Sequence, residues 1–238
     1  MPYKEKNEEV RIRQLRSLAE EIKNWLEKRE ECKYFREITK SPPFSFNSSR
    51  KDDERLPNLK KILVYDMQWR AFRRLPFVDV KRILREFEDV YKKITKKLLP
   101  QFYSANTKEE KQMIVNEIYK ATIGIKQIGP KIAGVFLRDI VCYLKVWKEL
   151  TPYLYQPIDR HIRELLTKYL KFFDEKEMPN VSESYFTKKS QNFQKLLAEA
   201  YTPRVTFDIL YIIGANIHAF YQCDICPLKK SWCKDPYQ

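Results

Sequence analysis

Apolar residues recur at spacings of three and four along most of this chain, the period of an amphipathic helix, and no stretch alternates apolar and polar residues over a useful strand length. Residues 8–38 carry Leu15, Leu18, Ile22 and Trp25 between Glu, Lys and Arg, which predicts one long helix. The run Ser41-Pro-Pro-Phe-Ser-Phe-Asn-Ser-Ser49 then interrupts the pattern; it predicts a loop and a boundary between segments. Helical spacing resumes over 57–74, over 79–98 (Val80, Ile83, Leu84, Phe87, Val90, Tyr91, Ile94) and over 107–122, where Thr107 and Glu110 form a capping-box pattern. A helix over 130–148 places Ala133, Phe136, Leu137, Ile140, Leu144 and Trp147 on one face. After a break at Thr151-Pro152 come a helix over 160–173, a polar loop near 174–186, and helices over 187–200 and 203–221. The expectation is an all-α protein of about nine helices, with no internal repeat and no low-complexity tract.

Composition sharpens that picture. Of 238 residues only 4 are glycine, where an average share of about 7% would give roughly 17. Sandwiches, barrels and phosphate-cradling loops need glycine repeatedly, so they are disfavoured. With 43% hydrophobic and 14% aromatic residues the chain can build a core. Its 46 Lys+Arg against 32 Asp+Glu leave a net charge of +14 and a pI near 9.4. Such a field concentrates polyanions, which puts nucleic acid first among partners; a solvated Lys/Glu-rich surface of the thermophile kind is the alternative. No apolar run approaches the roughly 18 residues of a membrane span, and residues 1–30 lack a signal-peptide core. The expected protein is cytoplasmic, with no membrane partner.

Chemistry concentrates around one turn. In Ile125-Lys126-Gln127-Ile128-Gly129-Pro130-Lys131-Ile132-Ala133-Gly134, a helix ends near Gly124, glycine permits a tight turn, and Pro130 suits the first position of a new helix. This pattern predicts a helix-hairpin-helix whose outward N–H groups can hold a DNA phosphate without reading sequence. An ordinary helix-turn-helix corner has the same signature. Gly124, Gly129 and Gly134 all fall here.

Ile128-Gly129-Pro130-Lys131-Ile132-Ala133, followed by Pro157-Ile158-Asp159-Arg160-His161-Ile162, resembles the helix-hairpin-helix DNA glycosylase superfamily, the endonuclease III and 8-oxoguanine glycosylase relatives. The resemblance extends loosely from about residue 57 to the C-terminus. It implies two helical lobes with a DNA-binding cleft between them: a central domain over 53–158, with the helix-hairpin-helix at about 120–148, and a second domain formed by 1–52 with 159–238. Lys131 and Asp159 match the family's active-site positions. A lysine in the first turn of a helix sits where the dipole disfavours an ammonium, which suits an amine nucleophile, and Asp159 is also a natural N-cap for the helix that follows. The implied activity is excision of a damaged or mismatched base through a lysine Schiff base and β-elimination, in base excision repair on double-stranded DNA, by a monomer in a prokaryotic, nucleoid-associated setting. A monofunctional glycosylase and a non-catalytic helix-hairpin-helix DNA-binding protein are the alternatives.

Gln127, Ile128, Gly129 and Pro130 would contact the backbone, and Gln68 lies where the family's early helix carries a gap-filling glutamine. His161 braces the loop on this reading, and Tyr65, Trp69, Tyr153 and Tyr155 are candidates to stack on an extruded base. Two features depart from the family pattern. Gln127 stands at the hairpin's first glycine, and the 28 positions between Lys131 and Asp159 are more than the family uses, so residues near 145–156 would form an inserted segment.

Gly214-Ala-Asn-Ile-His218 followed by Cys223-Asp-Ile-Cys226-Pro-Leu-Lys-Lys-Ser-Trp-Cys233 resembles the C-terminal iron–sulfur loop of the same relatives. Three cysteines are kept, and His218 stands near the place of the first. The implied cofactor is a [4Fe-4S] cluster, its fourth ligand His218 or the distant Cys32 or Cys142; a Cys3His zinc site or an empty remnant are the alternatives.

Overall fold

Capping and burial decide where each helix starts and stops. The structure, a computed structural model, describes residues 2–28, 52–71, 79–200 and 226. It is helix-rich, with no strand among the described residues, and none of the described helices is long and apolar enough to cross a membrane. The chain divides into two compact units, Pro42–Leu154 and Met1–Ser41 with Tyr155–Gln238.

In the first unit, helix α2 spans Asp52–Ala71 and α3 spans Val80–Lys93. Asp79 caps α3, its Oδ1 accepting the Arg82 N–H at 3.0 Å, and Ile83, Phe87 and Tyr91 form its buried face. The rod continues through a π-turn, Ile94–Leu98, into α4, Leu99–Ser104. Helix α5, Lys108–Ile123, opens with the expected capping box. Glu110 accepts the Thr107 and Asn106 N–H groups, both at 3.0 Å, while the Thr107 hydroxyl accepts the Glu110 N–H at 3.1 Å. These donors hold the Glu110 carboxyl below its ordinary value of 4.5, because they favour the ionised form.

Helix α6 spans Pro130–Arg138 and passes into a π-turn, Asp139–Tyr143, where apolar spacing predicts a helix to 148. Residues 133–141 are buried on every side, not along one stripe, because α6 rests against both α2 and α5. The helix stops because the next residues are buried elsewhere. Trp147 stacks on Tyr91 with ring centroids 6.0 Å apart, and Phe87 meets Phe136 edge-on at 5.3 Å. A 3-10 turn, Lys148–Tyr153, then carries Pro152 inside it, where the sequence suggests a break.

The second unit joins both halves of the chain. Helix α1, Pro2–Lys28, sets Leu15 and Leu18 into a cluster with Ile158, Ile162, Phe173, Phe193 and Leu197. Its neighbours are α7, Arg160–Glu164, with a π-turn over Leu165–Tyr169, and α8, Lys188–Ala200. Arg16 donates through Nε and a terminal nitrogen to the Glu199 carbonyl, at 3.0 and 2.5 Å, closing the end of α8. The α1 side chains Ile22 and Trp25, the helix expected over 203–221 and the loop at 41–49 lie outside the described residues.

Each unit ends a helix with the same device. In Tyr143-Leu144-Lys145-Val146-Trp147, the Leu144 N–H reaches the Asp139 carbonyl at 3.0 Å and the Val146 N–H reaches the Ile140 carbonyl at 2.8 Å. In Tyr169-Leu170-Lys171-Phe172-Phe173, Leu170 reaches Leu165 and Phe172 reaches Leu166, both at 2.9 Å. Both lysines adopt positive φ, 58° and 53°, where glycine is usual. This short repeat interrupts the helical period and is invisible to it. Since a side chain in that conformation costs about 1–2 kcal/mol, Lys145→Gly is expected to raise stability by about 1 kcal/mol after the unfolded-state entropy of glycine is counted. A urea midpoint that rises with an unchanged slope would show it; a lower midpoint would refute it.

Candidate functional site

The chemistry-bearing residues group around two backbone features, one in each unit. In the first, α5 ends at Ile123 and Gly124 caps it, its N–H reaching the Lys120 carbonyl at 2.9 Å. Ile125 and Ile128 are buried and pin the chain on either side of an exposed corner. The Ile128 N–H bonds the Ile125 carbonyl at 3.0 Å, closing a β-turn with Lys126 and Gln127 at its corners. Gln127 has φ 72°, at the turn position that usually belongs to glycine. The residue that departs from the family pattern is therefore the one that takes the left-handed conformation. Outside the turn, the Lys126 N–H donates to Glu86 Oε2 at 2.9 Å, and Glu86 Oε1 lies 3.3 Å from Arg82 Nε.

Gly129 is extended (φ −84°, ψ 172°), and no glycine among the described residues has positive φ. The expectation that glycine supplies the special conformation of this turn is thus corrected. What Gly129 provides is access: a Cβ built there would meet nothing within 4 Å, so the space before α6 is open. Pro130 is the first helical residue and Lys131, half-buried, the second. Two turns further along, Arg138 donates through Nε to Asp139 at 2.5 Å in a buried ion pair.

In the second unit, Asp159 is the N-cap of α7, buried, its Oδ1 accepting the Ile162 N–H at 2.8 Å. The chain leading to it is extended because Pro157 fixes its own φ and biases Gln156 toward β geometry. The buried polar groups of that stretch are met by side chains of α8. The Gln194 amide takes the Gln156 N–H at 3.0 Å and returns its own N–H to the Gln156 carbonyl at 2.9 Å. Gln191 donates to the Tyr155 hydroxyl at 3.3 Å and to the Tyr185 carbonyl at 2.5 Å. Gln191 and Gln194 are three apart on one helix face, but that spacing does not say which stretch they support. The His161 side chain makes no hydrogen bond among the described residues, while its carbonyl accepts the Leu165 N–H within the helix. Lys131 and Asp159 belong to different units.

Comparison of the chain with protein-family models, with curated proteins and with solved structures finds no match.

Of the proposed stacking residues, Tyr155 is only 1% exposed, stacked on Tyr185 at 5.2 Å; it is a core residue. Tyr153 is half-buried, edge-on to Phe102 at 5.5 Å. The side chains of Gln68 and Trp69 lie outside the described residues, as do His218, Cys223 and Cys233. Cys226 is half-buried, outside any disulfide, and packs against the apolar cluster of the second unit. Among the described residues no group of three potential metal ligands occurs. A groove of about 670 Å³ runs between α4 and α5, past Gln101, Met113 and Glu117; neither Lys131 nor Asp159 lines it.

Gln194→Ala would strand the buried N–H and carbonyl of Gln156, each costing about 1–3 kcal/mol when unsatisfied. A stability loss of about 3 kcal/mol in urea unfolding is expected, and a loss below about 1 kcal/mol would show that water or a neighbour replaces the amide.

Proposed function

We propose that this chain is a DNA glycosylase with AP-lyase activity, removing a damaged or mismatched base and cutting the strand at the abasic site. The observation that carries the reading is the placement of Lys131. An amine stands in the first turn of a helix whose N-cap is a glycine with open space before it, on a chain of net charge +14. A DNA strand could approach that helix start closely, its phosphate meeting the dipole and N–H groups, while the lysine reaches toward the sugar.

In the reaction, neutral Lys131 Nζ attacks C1′ of the extruded nucleotide. The C1′–N bond breaks, and the base leaves with its electron pair and takes up a proton. The attacking amine gives up one proton, for which Asp159 is the assigned acceptor; the C1′–O4′ bond then breaks, opening the sugar ring, O4′ takes up a proton, and the protonated Schiff base is left. Loss of a C2′ proton then breaks the C3′–O bond by β-elimination. A buried N-cap carboxylate is oriented for such work by the N–H it accepts. Ile128, Gly129 and Pro130 shape the backbone contact, with Gln127 at its corner and Gln68 as the residue that fills the gap left by the extruded base.

The C-terminal cysteines form the other part of the reading. Cys223, Cys226 and Cys233, with His218 as the fourth donor, have the chemistry to hold an iron–sulfur cluster or a zinc ion. Bound there, the group supplies a structural cross-link, not the reaction. The half-buried Cys226 on the apolar cluster suits a sheltered ligand. Anaerobically purified protein should contain iron and absorb in the visible, with Cys226→Ser losing both. Protein free of iron and zinc removes this part while leaving the lysine chemistry standing.

Borohydride trapping on a duplex with one abasic site tests the activity. The wild type should form a covalent adduct and Lys131→Ala none. Asp159→Asn should trap at least about 100-fold more slowly with stability nearly kept, because Asn caps a helix as well as Asp. An adduct that persists in Lys131→Ala refutes the assignment. Base release without trapping identifies a monofunctional enzyme, and salt-sensitive binding without release a non-catalytic DNA-binding protein.

A further inference from the structure

Helix α3 and the π-turn that continues it carry a charged stripe that begins at the 124–129 turn and runs away from it. Arg82, Glu86, Lys93 and Lys97 are spaced by four, seven and four, which places them on one face of the rod. Glu86 is the member that bonds the Lys126 N–H, at 2.9 Å. At 1.5 Å per residue, Lys93 and Lys97 lie about 10 and 16 Å further along the helix axis. Both are exposed, as is Lys96.

These lysines are poorly compensated. Residues 90–108 hold Lys92, Lys93, Lys96, Lys97 and Lys108 with no Asp or Glu. Lys92 pairs with Glu88 at 3.1 Å, while Lys93, Lys96 and Lys97 make no ion pair among the described residues. Like charges four apart weaken a helix, and here the pairs 92/96 and 93/97 both occur, across a π-turn of the kind that often marks a functional site.

We infer that Lys93 and Lys97 form a second phosphodiester-binding surface, holding the DNA backbone beside the stretch contacted by the 124–129 turn. The inference rests on the DNA reading above and adds to it a location and a reach. With one phosphate per about 3.4 Å of axis on each strand, the stripe spans about three to five base pairs. The contact is made by mobile ammonium groups to phosphates, so it adds affinity without sequence preference.

The test compares two charge-matched variants of the full chain on a duplex bearing one reduced abasic site. Lys93→Gln/Lys97→Gln should lower the slope of log affinity against log salt by about 2, one per lost phosphate contact. Lys176→Gln/Lys188→Gln removes two exposed lysines of the other unit and should leave the slope at the wild-type value. On the same duplex with an unreduced, aldehydic abasic site, the borohydride-trapping rate at saturating protein should be unchanged in both. Equal slopes for the two variants, or a wild-type slope in the stripe variant, overturn the inference while wild-type trapping leaves the glycosylase reading intact. A wild type that neither binds in a salt-dependent way nor traps overturns both.

Discussion

A backbone N–H or carbonyl withdrawn from water must find a partner, and a chain with four glycines has few of the usual conformational means to arrange one. This protein meets the need with side chains and unusual turns. Glu86 takes the N–H of Lys126, Gln194 takes both polar groups of Gln156, Arg16 takes the Glu199 carbonyl near the end of α8, and Glu110 with Thr107 closes the start of α5. Among the described residues, the left-handed positions are Gln127, Lys145, Trp147 and Lys171. Each costs conformational energy that a glycine would not, so each is held in place by burial next to it, as Ile128, Val146 and Phe172 are buried.

That constraint also positions the candidate chemistry. Lys131 follows a turn fixed from outside by a carboxylate of α3, and Asp159 follows an extended stretch fixed from outside by an amide of α8. In neither case is the candidate residue held by its immediate sequence neighbours alone. A substitution of Glu86 on α3 or of Gln194 on α8 can therefore displace a residue that lies 45 or 35 positions away in sequence.

How much of this could be read from the residues depends on the range of the interaction. The capping box at Thr107 and Glu110, the Asp159 cap and the core positions Ile83, Phe87, Phe136 and Leu137 follow from local spacing, and they stand where expected. Helix ends did not follow. The spacing of Leu144 and Trp147 fits a continuing helix, yet the stacking of Trp147 on Tyr91 outweighs it, and the helix stops at a π-turn. Gly129 was expected to serve the turn through its conformation and serves through its open space instead, because the positive φ falls two residues earlier. Gln194 and the Gln156 backbone that it supports are separated by 38 positions, and no local pattern pairs them.

The unit that carries Asp159 is built from both ends of the chain, and this sets an order on its assembly. As the protein is synthesised, Leu15 and Leu18 of α1 emerge early, but their partners Ile158, Ile162, Phe193 and Leu197 come well over a hundred residues later. At about 5–20 residues per second, α1 waits roughly ten seconds or more with its apolar face uncovered, while the Pro42–Leu154 unit is already complete in sequence. The half of the chemistry assigned to Lys131 can thus be in place before the half assigned to Asp159 exists, and a chain stalled in between would present a basic surface with an unsheltered helix beside it in sequence.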